Sequence, residues 1–88
     1  MVKNILILGS TGSIGGSTLN IIRKDKKKFK VSLLTTNKNI NKIYKQAIEF
    51  KVKKIVIFNN DAYLKSLKKF KNKKIKVFSS IRDALNKN

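Results

Sequence analysis

The segment Gly9-Ser10-Thr11-Gly12-Ser13-Ile14-Gly15 constrains this chain more than any other, because its three glycines sit between an apolar run and a helix-like segment. Before it, Asn4 to Leu8 reads as a strand, and its unbroken apolar character suits burial on both faces of a parallel sheet. After it, Ile14, Leu19, Ile21 and Ile22 mark a helix from Ser13 to Arg23, which stops at Asp25-Lys26-Lys27-Lys28. Three glycines alone can simply make a tight strand-to-helix turn. Placed between strand and helix, they read as a dinucleotide fingerprint. Gly9 lets the chain turn sharply, Gly12 admits a pyrophosphate to the backbone N–H groups, and Gly15 permits close packing of helix on sheet. The helix start adds unpaired N–H groups and partial positive charge, and Ser10, Thr11 and Ser13 add hydroxyl donors.

The same alternation continues along the chain. Phe29 to Thr35 is expected as a second strand, followed by the polar turn Thr36-Asn37-Lys38-Asn39. Ile40, Ile43, Tyr44, Ala47 and Ile48 then keep the spacing of an amphipathic helix, with Asn39 or Asn41 as its cap. Lys54 to Phe58 gives a third strand. Asn59-Asn60 gives a turn and cap, and Ala62, Tyr63, Leu64, Leu67 and Phe70 the buried stripe of a third helix. Ile75 to Phe78 is a shorter fourth strand, and Ser79 or Ser80 caps a last helical stretch through Ile81, Ala84 and Leu85, with Asp83 placed as in a capping box. The fold class is α/β and Rossmann-like, with a mostly parallel sheet and alternating helices. It is expected to be incomplete, because no strand follows the last helix.

The end of the second strand bears on which cofactor the turn would hold. NAD sites place an Asp or Glu about 20 residues past the glycine motif, on the ribose 2′-hydroxyl. Here that stretch is Thr35-Thr36-Asn37-Lys38-Asn39, without an acid. A carboxylate would repel a 2′-phosphate that an ammonium and amide donors welcome, so NADP(H) is expected over NAD. The competing reading of Lys38 is one more solvated lysine.

A formal charge of +18 brings nucleic acid and anionic membranes into consideration. Only Arg23 and Arg82 among the 22 basic residues are arginine, the residue whose planar fork suits phosphate and base readout. The lysines are scattered and accompany many Asn and Ile residues, all three with AT-rich codons, so the charge reads as a solvated surface. Neither nucleic acid nor membrane is expected as a partner. The absence of cysteine and histidine excludes disulfides, thiol nucleophiles, Cys/His zinc sites and histidine bases from these 88 residues. No run approaches the roughly 20 apolar residues of a membrane span, and the first residues leave no room for a signal peptide, so a cytoplasmic protein is expected.

The string Gly9 to Gly15, followed by Ser17-Thr18-Leu19 and Ile21-Ile22, resembles the start of the 1-deoxy-D-xylulose 5-phosphate reductoisomerases. The likeness continues through Phe29-Lys30-Val31, Lys38-Asn39, Gln46, Glu49-Phe50 and the third strand, and fades after about Asp61. It implies residues 1–88 as a truncated amino-terminal NADPH-binding domain, with the catalytic and carboxy-terminal domains absent. In that family the enzyme rearranges 1-deoxy-D-xylulose 5-phosphate and reduces the intermediate with NADPH to 2-C-methyl-D-erythritol 4-phosphate, a step of isoprenoid precursor synthesis. By the resemblance, Thr11, Gly12, Ser13 and Ile14 would line the pyrophosphate and nicotinamide side, and Lys38 and Asn39 would meet the 2′-phosphate. Asn37 stands where the family more often has glycine, a mild departure because asparagine tolerates positive φ.

The divalent cation (Mg or Mn), the sugar-phosphate substrate and a homodimer are implied for the full-length family only. Asp25, Glu49, Asp61 and Asp83 do not converge as a hard cation requires, so no catalytic or metal-ligating residue is assigned here and the chain alone is expected to be inactive. Two alternatives stand beside this reading. One is a small lysine-rich nucleic-acid-binding protein; the other is a different NADP-dependent Rossmann reductase, such as a semialdehyde dehydrogenase or an epimerase-like reductase.

Overall fold

The computed structural model describes residues 2–86. Four parallel strands lie in the order β1-β2-β3-β4: β1 Lys3–Ile7, β2 Phe29–Thr36, β3 Lys54–Ile57 and β4 Lys76–Phe78. Helices α1 (Ser13–Arg23), α2 (Ile40–Glu49) and α3 (Asn60–Lys69) make the crossovers, α4 (Ile81–Asn86) follows β4, and a single 3-10 turn covers Lys26–Lys28. The Rossmann-like α/β expectation therefore holds, with element ends moved by a residue or so. Asn39 rather than Asn41 caps α2, its side chain accepting from the Lys42 N–H at 3.2 Å. Asn59 caps α3 through the Ala62 N–H at 2.9 Å, and Ser80 caps α4 through the Asp83 N–H at 3.1 Å.

One face of the sheet carries the main core. Leu19 and Ile22 of α1, Ile43 and Ala47 of α2, and Ala62 and Phe70 pack on Ile7, Val31, Leu34, Ile55 and Ile57. A bulge between the first two strands shapes this face: Ile5 pairs with Val31, but Leu6 pairs with Leu33, which leaves Ser32 as the extra residue. The bulge breaks the two-residue alternation, so Val31 and Leu34, three apart, both reach the helices. It also sets Thr35 and Thr36 at the mouth of the glycine turn.

The second face is thinner, with Leu33, Val56 and Ala84 joined by Phe78 and Ile81 under α4. This corrects the expectation that residues 4–8 are buried on both faces. Among the described residues β1 is an edge strand paired only with β2, and α4 lies over β3 and β4, so Ile7 is buried while Leu6 and Leu8 are bare, Leu8 at 63% exposure. Such an edge is the exposed apolar margin expected if no further strand flanks β1. Burial in the helices is likewise narrower than the apolar pattern predicts. α3 buries Ala62 and Ser66 but leaves Leu64 and Leu67 exposed, because it rests on the β3–β4 margin. Ile14, Ile21, Ile48 and Leu85 are also exposed.

The carboxyl ends of α1 and α2 are joined by charge. The Arg23 guanidinium takes both Glu49 oxygens, with Nη2 donating to Oε1 at 2.8 Å, and Arg23 and Lys26 lie 5.3 and 5.2 Å from the Phe50 ring centroid. Hydrogen bonding from Arg23 holds the Glu49 carboxyl below its ordinary value. A depressed carboxylate pKa contributes stability above the unfolded-state value, and that contribution is lost as pH falls through the folded-state value. Thermal unfolding of wild type and Glu49→Gln is expected to differ at neutral pH and to converge once the pH drops below the carboxylate range.

α2 ends in a left-handed residue, Lys51 at φ 55°, with the Val52 N–H on the Ala47 carbonyl at 2.9 Å. Glycine is the residue that takes this position without a Cβ penalty. Lys51→Gly is expected to raise stability by about 0.5–1 kcal/mol in denaturant unfolding.

Candidate dinucleotide site

The turn after β1 takes its shape from two glycines. Gly9 has φ +70°, the left-handed region. At Gly15, in the first turn of α1, a Cβ would fall on the Gly9 carbonyl oxygen and within 2.6 Å of the Ser10 Cα. The helix can therefore sit on the turn only without a side chain at position 15. Gly12 differs: its backbone is extended, with φ −85° and ψ 178°, and an added Cβ would meet only the Gly9 carbonyl at 3.4 Å. None of the described residues demands glycine there, and the missing side chain leaves the mouth of the turn open.

β2 then clamps the turn. The Gly9 N–H donates to Thr35 Oγ1 at 2.7 Å, the Ser10 N–H to the Thr35 carbonyl at 2.8 Å, and Thr11 Oγ1 lies 2.6 Å from Thr36 Oγ1. From the other side α2 supplies Lys42, whose Nζ donates to the Thr11 carbonyl, and Gln46, whose Nε2 donates to the Ser10 carbonyl, both at 2.9 Å.

The start of α1 is left uncapped. Gly12 at its N-cap offers no side chain, and its first turn holds no acid, whereas Asn39, Asn59 and Ser80 cap the other three α-helices. Among the described residues the N–H groups of Thr11, Ser13, Ile14 and Gly15 have no backbone partner. Unpaired N–H groups and the helix dipole together make such an end an anion site.

The expected site residues divide once placed. Gly12, Ser13 and Ile14 are solvent-facing, Ile14 at 84% exposure. Asn37, Lys38 and Asn39 are exposed on the loop that leaves Thr36, beside Thr11, so both loops open at the carboxyl ends of β1 and β2. The cap uses the amide oxygen of Asn39, which leaves its NH2 group as donor.

Ser10 departs from expectation. Its side chain is fully buried and its hydroxyl donates to the Thr35 carbonyl at 3.3 Å, so it ties the turn to β2, and its N–H and carbonyl are likewise taken by Thr35 and Gln46. The Thr11 hydroxyl is similarly engaged with Thr36, and Ser13 keeps its hydroxyl in solvent.

Sequence reasoning did not single out Thr35, Thr36, Lys42 or Gln46 as parts that shape the turn. Gln46 had a signal, since it shares the buried face of α2 with Ile43 and Ala47 at three-and-four spacing. A groove of about 370 Å³ runs between Gly12, Ser13, Asn20, Arg23, Lys42 and Gln46, and does not include Asn37, Lys38 or Asn39. A larger cleft of about 460 Å³ opens at the other end of β2, among Ile22, Phe29, Glu49 and Phe50. There α2 presents its carboxyl end, whose partial negative charge disfavours phosphate. The fit to a dinucleotide therefore lies at the glycine turn. Among the described residues no three of His, Cys, Asp and Glu come together, so the parts of a divalent-cation site are not assembled here.

A sequence model of the 1-deoxy-D-xylulose 5-phosphate reductoisomerase family matches residues 5–86. The reductoisomerase of Pelagibacter ubique is 49% identical over 86 residues, which cover 98% of this chain and 22% of that protein. That of Porphyromonas gingivalis is 49% identical over 63 residues, 72% of this chain and 16% of that one. Among solved structures, the Zymomonas mobilis reductoisomerase in complex with NADPH aligns with a TM-score of 0.82 at 27% identity, covering 89% of this chain and 21% of the other. A reductoisomerase in complex with NADPH, fosmidomycin and magnesium aligns at 0.84 and 31% identity, covering 93% and 20%. The chain thus spans about a fifth of the length of these relatives. The likeness also runs beyond Asp61, where sequence reading had it fade.

Substitution at the packing glycine tests the turn itself. Gly15→Ala is expected to cost about 3 kcal/mol or more, since the clash is with backbone that cannot swing aside, read as a lower midpoint in denaturant unfolding.

Proposed function

Because this chain belongs to the 1-deoxy-D-xylulose 5-phosphate reductoisomerase family, we propose that it is the NADPH-holding part of an enzyme that rearranges and reduces 1-deoxy-D-xylulose 5-phosphate. The observation that carries the reading is the uncapped start of α1, facing a β2–α2 loop that holds Lys38 and no carboxylate. The backbone N–H groups of Thr11, Ser13 and Ile14 meet the pyrophosphate, with Gly12 giving it room. Ile14 offers an apolar surface on the nicotinamide side. Lys38, the Asn39 NH2 group and Asn37 receive the adenosine 2′-phosphate, where an ammonium and neutral donors complement its charge. When bound, NADPH supplies the hydride of the reduction.

These residues bind and orient; none is assigned a proton transfer or a place on the substrate. The four carboxylates do not form a cation site, so the metal-dependent part of the reaction and the sugar phosphate belong to residues outside this chain, and the chain alone is inactive.

NADPH and NADH titrations of the purified chain at two salt concentrations test the reading. Saturable NADPH binding, with NADH markedly weaker, is expected. Lys38→Ala should lower NADPH affinity about tenfold and leave NADH nearly unchanged, consistent with loss of one charge-assisted contact. Gly12→Ala should weaken both dinucleotides by a similar factor while leaving the unfolding midpoint in place. Equal affinity for the two dinucleotides would overturn the 2′-phosphate assignment. Nucleic-acid binding that collapses steeply with salt, without dinucleotide binding, would favour the lysine-rich alternative.

A further inference from the structure

We propose that Gln46 is a positioning residue of the glycine turn, setting the peptide planes from which the pyrophosphate is bound; the proposal rests on the cofactor reading above. Gln46 is only 8% exposed and lies between Ile43 and Ala47 on the buried face of α2. Its Nε2 donates to the Ser10 carbonyl at 2.9 Å, 36 residues away along the chain, while its Oε1 is buried without a partner among the described residues. A side chain needed only for packing there could be leucine or methionine, which fill similar volume and strand no acceptor. What the amide supplies is the donor.

The donor matters because of peptide geometry. The Ser10 carbonyl and the Thr11 N–H belong to one planar trans unit and point in opposite directions. Holding the carbonyl against Gln46 therefore turns the Thr11 N–H away from α2. The preceding unit is held by β2, through the Ser10 N–H on the Thr35 carbonyl at 2.8 Å. The two planes flanking the Ser10 Cα are thus clamped from opposite sides, one by Thr35 and one by Gln46. Lys42, one turn earlier on α2, makes the same kind of bond to the Thr11 carbonyl, but it is exposed and charged and can reach an anion directly. Gln46 is buried and neutral, which separates positioning from charge attraction.

The test uses the 15N-labelled 88-residue chain and its Gln46→Met and Gln46→Glu variants. Methionine keeps the volume without the donor; glutamate keeps the shape and sets an acceptor against the Ser10 carbonyl. In the unliganded variants the Thr11 and Gly12 amide resonances should move. NADPH affinity should fall about tenfold, with the unfolding midpoint of Gln46→Met near that of wild type. Binding of 2′-AMP, which has no pyrophosphate and engages only the Asn37–Asn39 end, should stay unchanged.

Wild-type NADPH affinity in Gln46→Met would overturn the proposal, as would an equal loss of 2′-AMP binding, which marks general loosening. If Gln46→Met does not fold, Gln46→Glu carries the same comparison. In wild type the Gln46 side-chain NH2 should be protected from hydrogen exchange, and its free exchange would overturn the proposal without any variant. If the wild-type chain binds no NADPH, the cofactor reading is what fails. Positioning by Gln46 is then judged on the unliganded Thr11 and Gly12 amides, and unmoved resonances overturn it.

Discussion

The close approach of Gly15 to the Gly9 carbonyl and the Ser10 Cα is the contact on which the rest of the site depends. Without a Cβ at position 15, α1 can rest its first turn directly on the loop that leaves β1. That contact puts an uncapped helix end at the carboxyl edge of the sheet, beside the loop that leaves β2. With a larger residue the helix would have to lift, and its unpaired N–H groups would leave the mouth of the turn, where Thr11 lies against Thr36. The glycines of the motif therefore do different work. Gly9 and Gly15 are required by the chain's own backbone, whereas none of the described residues requires glycine at position 12, and that directs attention to a ligand.

The two ends of the α1–α2 pair are held by different chemistry, and each suits its position. At the carboxyl ends, Arg23, Lys26 and Glu49 surround Phe50, where cations also complement the helix dipoles. At the amino ends the ties are hydrogen bonds to backbone carbonyls, from Gln46 and Lys42, together with the hydroxyls of Thr35 and Thr36. Ties from an amide, an ammonium and hydroxyls hold the turn and add no carboxylate that would compete with a phosphate. The bulge at Ser32 shifts β2 by one residue against β1, and just past the paired residues Thr35 and Thr36 meet Gly9 and Thr11 by hydrogen bonds.

Much of this was legible from local pattern. Strand and helix alternation, the caps at Asn39 and Asn59, and the placement of the glycine turn all follow from short-range spacing, and the structure reproduces them. What was not legible depends on contacts between segments far apart in sequence. Ser10 reads as a phosphate donor because serine beside glycine commonly is one. Its hydroxyl instead meets the Thr35 carbonyl, and that partner is set by the register of β1 on β2. Gln46 reads as a flank of an amphipathic helix until the turn it touches, 36 residues earlier, is in place.

β1 shows the same limit from the side of burial. An apolar run such as Ile5-Leu6-Ile7-Leu8 states that both faces of a strand favour cover, but periodicity carries no information on whether a neighbour exists. Here β2 covers one margin and the helices one face, so Ile7 is buried while Leu6 faces solvent on the edge strand and Leu8 just past its end. Bare leucines on an edge favour pairing between chains. Lys3 and Lys30 flank that edge and the chain carries +18, so mutual repulsion opposes the same pairing, most strongly at low ionic strength where screening is weak. The balance between those two terms, rather than the apolar pattern alone, decides whether this margin of the sheet associates.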